Sequence, residues 1–184
     1  MPSIIFLVGA SGSGKTTLRT TLFFDMLSDL PMLPVTSVTA SRDDILEQWA
    51  ERSGVSYQEA FSEHAEAAAE AMTEQLKQAL SNNQFILVDQ TNLTAEQRAE
   101  RMAYVPDHYK KIAITLEAPH QTLVERIEER RKKTGKDIPS FVLEKQVESY
   151  ERPTHDEGFD EIYIISSDDP APRRLAMEGL FPGI

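Results

Sequence analysis

Five short apolar runs, Ile4–Val8, Val35–Thr39, Phe85–Asp89, Ile112–Leu116 and Glu161–Ile165, alternate along the chain with longer stretches whose apolar residues return every three or four positions. Runs of this kind, rich in Ile, Val and Phe, suit strands buried on both faces, and the intervening helical periodicity supplies the covering layers. The pattern predicts an α/β fold, a parallel sheet of about five strands with helices on both faces. After the second run, Ser56 and Glu59 make a capping box, followed by Tyr57, Phe61, Ala65, Ala68, Met72, Leu76 and Leu80 at helical spacing. Glu59, Glu63, Glu66, Glu70 and Glu74 fall on the opposite face, so this segment reads as an amphipathic helix packed on the sheet, with no chemistry of its own. Thr94 and Gln97 form a second capping box directly after the third run, so the chain turns sharply where that strand ends. The carboxyl ends of strands are where open α/β sheets bind ligands.

Composition narrows the class without changing the fold. With 40% hydrophobic residues and no Pro/Gly/Ser-rich linker or internal repeat, residues 1–184 are expected to form one domain. The absence of Cys removes disulfides and thiolate metal sites, and no apolar run reaches the roughly 20 residues of a membrane helix. Met1 to Val8 lacks a basic leader and stops at Gly9, which fits a buried strand better than a signal sequence and places the protein in the cytoplasm, of the host if viral. A net charge of -11 argues against coating a long nucleic-acid backbone, so any nucleic acid must be gripped locally. His64, His108, His120 and His155 show no ligand spacing, and no structural metal is expected.

The chemistry begins at Gly9-Ala10-Ser11-Gly12-Ser13-Gly14-Lys15-Thr16, which fits G-x-x-x-x-G-K-[ST] between a predicted strand and a predicted helix. Glycines let successive N–H groups face phosphate oxygens, and the helix that follows contributes the positive end of its dipole. Lys15 is expected to bridge the β- and γ-phosphates and the Thr16 hydroxyl to ligate Mg²⁺, with Thr17 also on the nucleotide. An Asn-Lys-x-Asp guanine-reading segment is absent, and an AAA-type motor would call for a second domain that 184 residues leave little room for. A small ATP-dependent kinase remains.

Phe85-Ile86-Leu87-Val88-Asp89 has the form of a Walker B strand whose Asp89 supports the Mg²⁺ shell. Ser41 is placed as the N-cap of the next helix, which puts Asp43 and Asp44 in its first turn, where they serve either as general base or as complement to the helix dipole. The residues alone leave both roles open. Arg126, Arg130, Arg131, Lys132, Lys133 and Lys136 cluster in an acidic chain and fit either a lid that neutralises the transferred phosphate or a solvated helix paired with Glu125, Glu128 and Glu129.

Taken in order, Gly9 to Thr16, Arg42-Asp43-Asp44, Asp89-Gln90-Thr91-Asn92-Leu93, Ile138-Pro139, Glu151-Arg152-Pro153-Thr154 and Glu157-Gly158-Phe159 resemble the kinase domain of polynucleotide 5'-hydroxyl kinases over nearly the whole chain. The resemblance implies a nucleoside-kinase-like P-loop NTPase fold with a helical lid over approximately 126–140. It implies Asp43 as the base that takes the acceptor proton, Arg42, Thr91 and Asn92 on the acceptor, and Arg126 and Arg130 in the lid, with Arg131 able to take either arginine's role. The acceptor it implies is DNA or RNA. Two features depart from the pattern: Leu46 stands where the phage enzyme carries an arginine for the acceptor phosphate, and no D-x-D-G-[TS] phosphatase element is present. The scaffold is also similar to phage kinases that phosphorylate hydroxymethylated uracil in DNA, and its loop to gluconate-type kinases. A non-catalytic ATP-dependent switch would need only the loop and Asp89. The sequence fixes neither the acceptor nor the oligomeric state.

Overall fold

A computed structural model describes residues 1–20 and 37–166, and in it the apolar runs assemble into one sheet of order β2-β3-β1-β4-β5. Strands β1 (Ser3–Val8), β2 (Ser37–Ala40), β3 (Phe85–Asp89), β4 (Lys110–Glu117) and β5 (Glu161–Ser166) are parallel to every neighbour they pair with. The third run matches its strand end for end. The fourth gains Lys110, Lys111 and Glu117, whose polar side chains escape a search for apolar residues while their backbones still pair. Val35 and Thr36 of the second run lie outside the described residues, and the strand there is Ser37–Ala40.

The helices follow the strands as predicted: α1 (described over residues 15–20), α2 (Arg42–Ser53), α3 (Tyr57–Ser81), α4 (Ala95–Met102), α5 (His120–Thr134) and α6 (Ser140–Glu148). Both capping boxes form, Ser56 with Glu59 at α3 and Thr94 with Gln97 at α4, each satisfying helix N–H groups that have no partner within the helix.

Central β1 is buried on both faces, as its continuous apolar sequence requires. Ile4, Phe6 and Val8 face a cluster with Met72 and Leu76 of α3, whereas Ile5 and Leu7 face Leu18 of α1. Each such aliphatic side chain contributes about 1.5–3 kcal/mol by leaving water, so truncating Leu7 to Ala would cost about 2–5 kcal/mol once the cavity is included. In α3 the buried stripe runs through Ala60, Ala68, Met72, Leu76 and Leu80, while Phe61, expected inside, is 37% exposed. A further cluster, Leu123 and Ile127 of α5 with Leu143 of α6, packs on Ala10 of the loop after β1, which ties the predicted lid to the phosphate-binding segment. No helix among the described residues is long and apolar enough to cross a membrane.

Candidate active site

The loop between β1 and α1 is held by contacts that only glycine permits at two positions. At Gly9 (φ 150°) a Cβ would lie 2.6 Å from the Leu116 carbonyl oxygen, and at Gly12 (φ 82°) it would lie 2.9 Å from that of Leu123. The Gly9 N–H donates to the Thr91 carbonyl at 2.9 Å, joining this loop to the one after β3. Lys15 curls back so that Nζ donates to the Gly9 and Ala10 carbonyls at 2.7 and 2.9 Å. Burial pushes the Lys15 ammonium down to about 8; Asp89 and Asp43 oppose the fall and nearby Arg130 adds to it. A cation so desolvated gains by meeting an anion. The loop is therefore a fitting cradle for a polyphosphate, with its glycine curl, the start of α1 and a poorly solvated lysine.

Asp89 ends β3 beside the loop. Burial raises its carboxyl above the ordinary value although Arg19 and Lys15 pull it down. Arg19 of α1 binds Asp89 at 3.0 Å and Asp44 at 2.7 Å through the same Nη1. Thr16 is exposed at the mouth of the loop. A hydroxyl and a carboxylate are hard oxygen donors of the kind Mg²⁺ takes, and the described residues hold no cluster of three acidic, His or Cys side chains set for a metal, so such an ion would complete its shell with phosphate oxygens and water.

The two first-turn carboxylates of α2 have different surroundings, a distinction that the sequence left open. Ser41 caps the helix by accepting from the Asp44 N–H, and the Asp44 side chain is taken by Arg19. Asp43 accepts a hydrogen bond from the Tyr57 hydroxyl at 3.0 Å, and burial together with Asp43 raises that phenol. The Tyr57 ring carries the Lys136 ammonium 3.9 Å from its centroid, Lys136 pairs with Glu47, and Gln58 donates to the Asp137 carbonyl at 3.0 Å. The tip between α5 and α6 thus rests on α2 and α3 across the cleft.

On α5, Arg126 reaches the Gly12 carbonyl at 3.3 Å, and Arg130 lies near enough to Lys15 to depress it. Arg131 points elsewhere, exposed beside Asp137 at 4.0 Å. The structure therefore brings the first two arginines to the loop and leaves the third outside. From α6, Gln146 Oε1 accepts from the Ser11 N–H at 2.9 Å, so α6 also closes on the loop.

One expectation on the acceptor side is corrected. Asn92 is 1% exposed with φ 47°, and its amide donates to the Leu7 carbonyl at 2.7 Å, so it fixes the loop after β3 and is not placed to touch an acceptor. Leu46, the departure from the family's phosphate-binding arginine, is fully buried with Ala50, Ala60 and Ala68 and faces the core. Arg42 and Thr91 remain half-buried at the carboxyl edge of the sheet. The late motif proves to be structural: Glu157 forms an ion pair with Arg98, Arg152 and Tyr150 both bond to Glu117, and Phe159 packs edge-on against Phe6. Sequence reasoning missed Arg19, Tyr57 and Gln146; for Arg19 the one available signal was its place one helical turn beyond the Lys15-Thr16 pair.

Residues 4–153 match the model of a protein family described as an AAA domain. No curated protein matches the chain in sequence. Among solved structures, a Chloroflexus aurantiacus protein provisionally called a kinase aligns over 100% of this chain and 98% of its own with a TM-score of 0.67 at 20% identity. The Pnkp1/Rnl/Hen1 RNA repair complex contains a chain 25% identical, aligned over 80% of this chain and 43% of its own with a TM-score of 0.58. A gluconokinase from Sinorhizobium meliloti 1021 aligns over 97% and 95% with a TM-score of 0.56 at 17% identity. The fold is that of the P-loop kinase-like NTPases.

Proposed function

Because the chain belongs to the AAA domain family and its fold is kinase-like, we propose that it is an ATP-dependent phosphotransferase that moves the γ-phosphate onto a hydroxyl of DNA or RNA. The observation that carries this reading is Asp43: a carboxylate held by Tyr57, left out of the Arg19 pair, and close enough to Lys15 to act on its charge. A transferase needs a base within reach of the acceptor hydroxyl, and Asp43 is placed to serve as one.

In this reading the loop from Gly9 to Thr17 holds the triphosphate, and Lys15, freed from the Gly9 and Ala10 carbonyls, bridges the β- and γ-phosphates. Thr16 and Asp89 would hold Mg²⁺, which when bound neutralises charge on the phosphates. Asp43 accepts the proton of the attacking hydroxyl, and Arg126 and Arg130 neutralise charge on the equatorial oxygens as transfer proceeds. Arg42 and Thr91 line the acceptor side. The reading spans residues 1–184 as a single kinase domain.

Nucleic acid is favoured as acceptor by the order of motifs and by the similarity to a chain of an RNA repair complex. The buried Leu46 favours a second acceptor within that class, a hydroxyl on a modified base, since the family's end-phosphate arginine has no counterpart there. Labelled ATP offered in parallel with a 5'-hydroxyl oligonucleotide, a 5'-phosphorylated oligonucleotide containing hydroxymethyluracil, and gluconate tests both. Label in either oligonucleotide supports the assignment and identifies the acceptor hydroxyl; label in gluconate alone rejects it.

A further inference from the structure

Tyr57 is the first residue of α3, fixed there by the Ser56–Glu59 capping box, and its hydroxyl crosses to the first turn of α2 to donate to Asp43 Oδ1 at 3.0 Å. A phenol has one proton to donate, and it is spent on that oxygen; Asp43 Oδ2 has no hydrogen bond among the described residues. The lid reaches the same ring. Helix α5 ends at Gly135 in the left-handed conformation (φ 72°), and the next residue, Lys136, sets its ammonium 3.9 Å from the Tyr57 centroid and pairs with Glu47 of α2. The Lys136 side chain is 13% exposed, against 76% for Lys133 in the same basic run. A lysine loses hydration when it is buried in this way, and the ring face and Glu47 offset that cost. Gln58, directly after Tyr57, donates to the Asp137 carbonyl at 3.0 Å, so two consecutive residues of α3 hold two consecutive residues of the lid tip.

We propose that Tyr57 is a positioning residue for Asp43 and that the lid tip, through Lys136, holds Tyr57 in place, so that the base is aligned only while the tip is seated on α2 and α3. A carboxylate turns readily about its last torsion unless one oxygen is held, and a misplacement of about 1 Å at a reacting group can cost about a hundredfold in rate. The Tyr57 hydroxyl holds Oδ1 and leaves Oδ2 to take the acceptor proton. The seated tip belongs to the same helix that brings Arg126 to the Gly12 carbonyl, so closure of the lid over the loop and alignment of the base become one event. A mere tether of α2 to α3 would make the same hydrogen bond but would act on stability instead of on the transfer rate. The role of Tyr57 in transfer rests on the kinase reading, which gives Asp43 the acceptor proton; the seating of the lid tip does not.

The test measures single-turnover transfer by the full chain with Mg²⁺ and labelled ATP, on whichever offered acceptor takes label. Tyr57→Phe keeps the ring under Lys136 and loses the hydroxyl; it should lower the transfer rate about tenfold to a hundredfold while the KM of the acceptor stays near that of the wild type. In Asp43→Asn the same substitution should change the rate by less than about twofold, because the group it acts through is already disabled. Equal fold losses in the two backgrounds, or a Tyr57→Phe that transfers at the wild-type rate with a lowered Tm, overturn the positioning role. Lys136→Met should slow transfer in the wild type and by a smaller factor in Tyr57→Phe, and equal factors overturn the coupling to the lid. Seating is read without catalysis by amide hydrogen exchange over residues 131–138, with Mg²⁺ and a non-hydrolysable ATP analogue bound. Exchange there should quicken in Lys136→Met, which loses the cation from both the ring and Glu47, and stay as in the wild type in Tyr57→Phe. Exchange that Lys136→Met leaves unchanged overturns the seating of the tip. Transfer to no acceptor would sink the kinase reading and the role of Asp43 with it, and the exchange result would still decide whether Lys136 seats the tip.

Discussion

Arg98 and Arg101 sit three residues apart on α4, and the fold treats them in opposite ways. Arg98 is 1% exposed and spends its guanidinium inside the protein: Nε and Nη2 clasp Glu157 at 2.6 and 2.8 Å, and Nη1 donates to the carbonyls of Asn92, Leu93 and Glu151. It thereby ties the loop after β3 to the segment leading into β5. Arg101 has one bond to its own helix and a buried Nε with no partner. A similar contrast separates other cations among the described residues. Arg152 and Lys110 are paired with Glu117 and Glu161, whereas Lys15, Arg42 and Arg130 gather around the cleft with donors spent on carbonyls or left open. A buried cation whose anion is built in is a structural pin. A buried cation without one keeps donors that no carboxylate of the fold has taken.

This division makes predictions that differ by residue. The largest effect is on chemistry: Lys15→Ala should abolish phosphoryl transfer while thermal unfolding stays near that of the wild type, because its bonds to two loop carbonyls hold no helix or strand in place. Asp43→Asn should slow transfer by a factor on the order of 10² to 10⁴ with nucleotide affinity nearly unchanged, and Asp44→Asn should be milder, measured by single-turnover label transfer. A reversed order would show that Asp44, and not Asp43, is the base. Arg98→Gln should act on the fold instead, costing about 3–5 kcal/mol by removing the cation that Glu157 pairs with and the donor shared by three carbonyls, a fall in Tm on the order of 10 °C by calorimetry. Arg101→Gln should change stability by less than about 0.5 kcal/mol. Equal losses for the two arginines would break the comparison.

The smallest effect is a pH dependence. Burial alone would raise the Glu157 carboxyl, but hydrogen bonds from Arg98 and from the Thr154 N–H hold it below its ordinary 4.5. A depressed carboxyl stabilises the fold when ionised, so its contribution is present above about pH 4.5 and is lost as pH falls through the lower folded value. The Tm gap between wild type and Glu157→Gln should therefore be full at pH 7 and close progressively below pH 4.5.

Much of the fold was legible because its signals are local. The continuous apolar run of β3, the two capping boxes and the glycine loop each lie within a few residues, and all four form as predicted. What the sequence could not reveal depends on partners far along the chain. Arg98 and Arg101 both read as polar residues of an Ala/Glu/Arg helix, and only the approach of Glu157, 59 residues on, makes the first a pin. Tyr57 reads as one more apolar position of α3 until Asp43, 14 residues back, is seen to accept its hydroxyl. The Asn92 position was matched to a family role by order alone, and burial overrules it.

The central claim, that the γ-phosphate is moved to a hydroxyl acceptor and not to water, is tested most directly by the stoichiometry of products. With labelled ATP and a 5'-hydroxyl or hydroxymethyluracil oligonucleotide, each mole of ADP formed should be matched by a mole of phosphorylated acceptor, with little inorganic phosphate. ADP matched by inorganic phosphate, and no label in the acceptor, would contradict it.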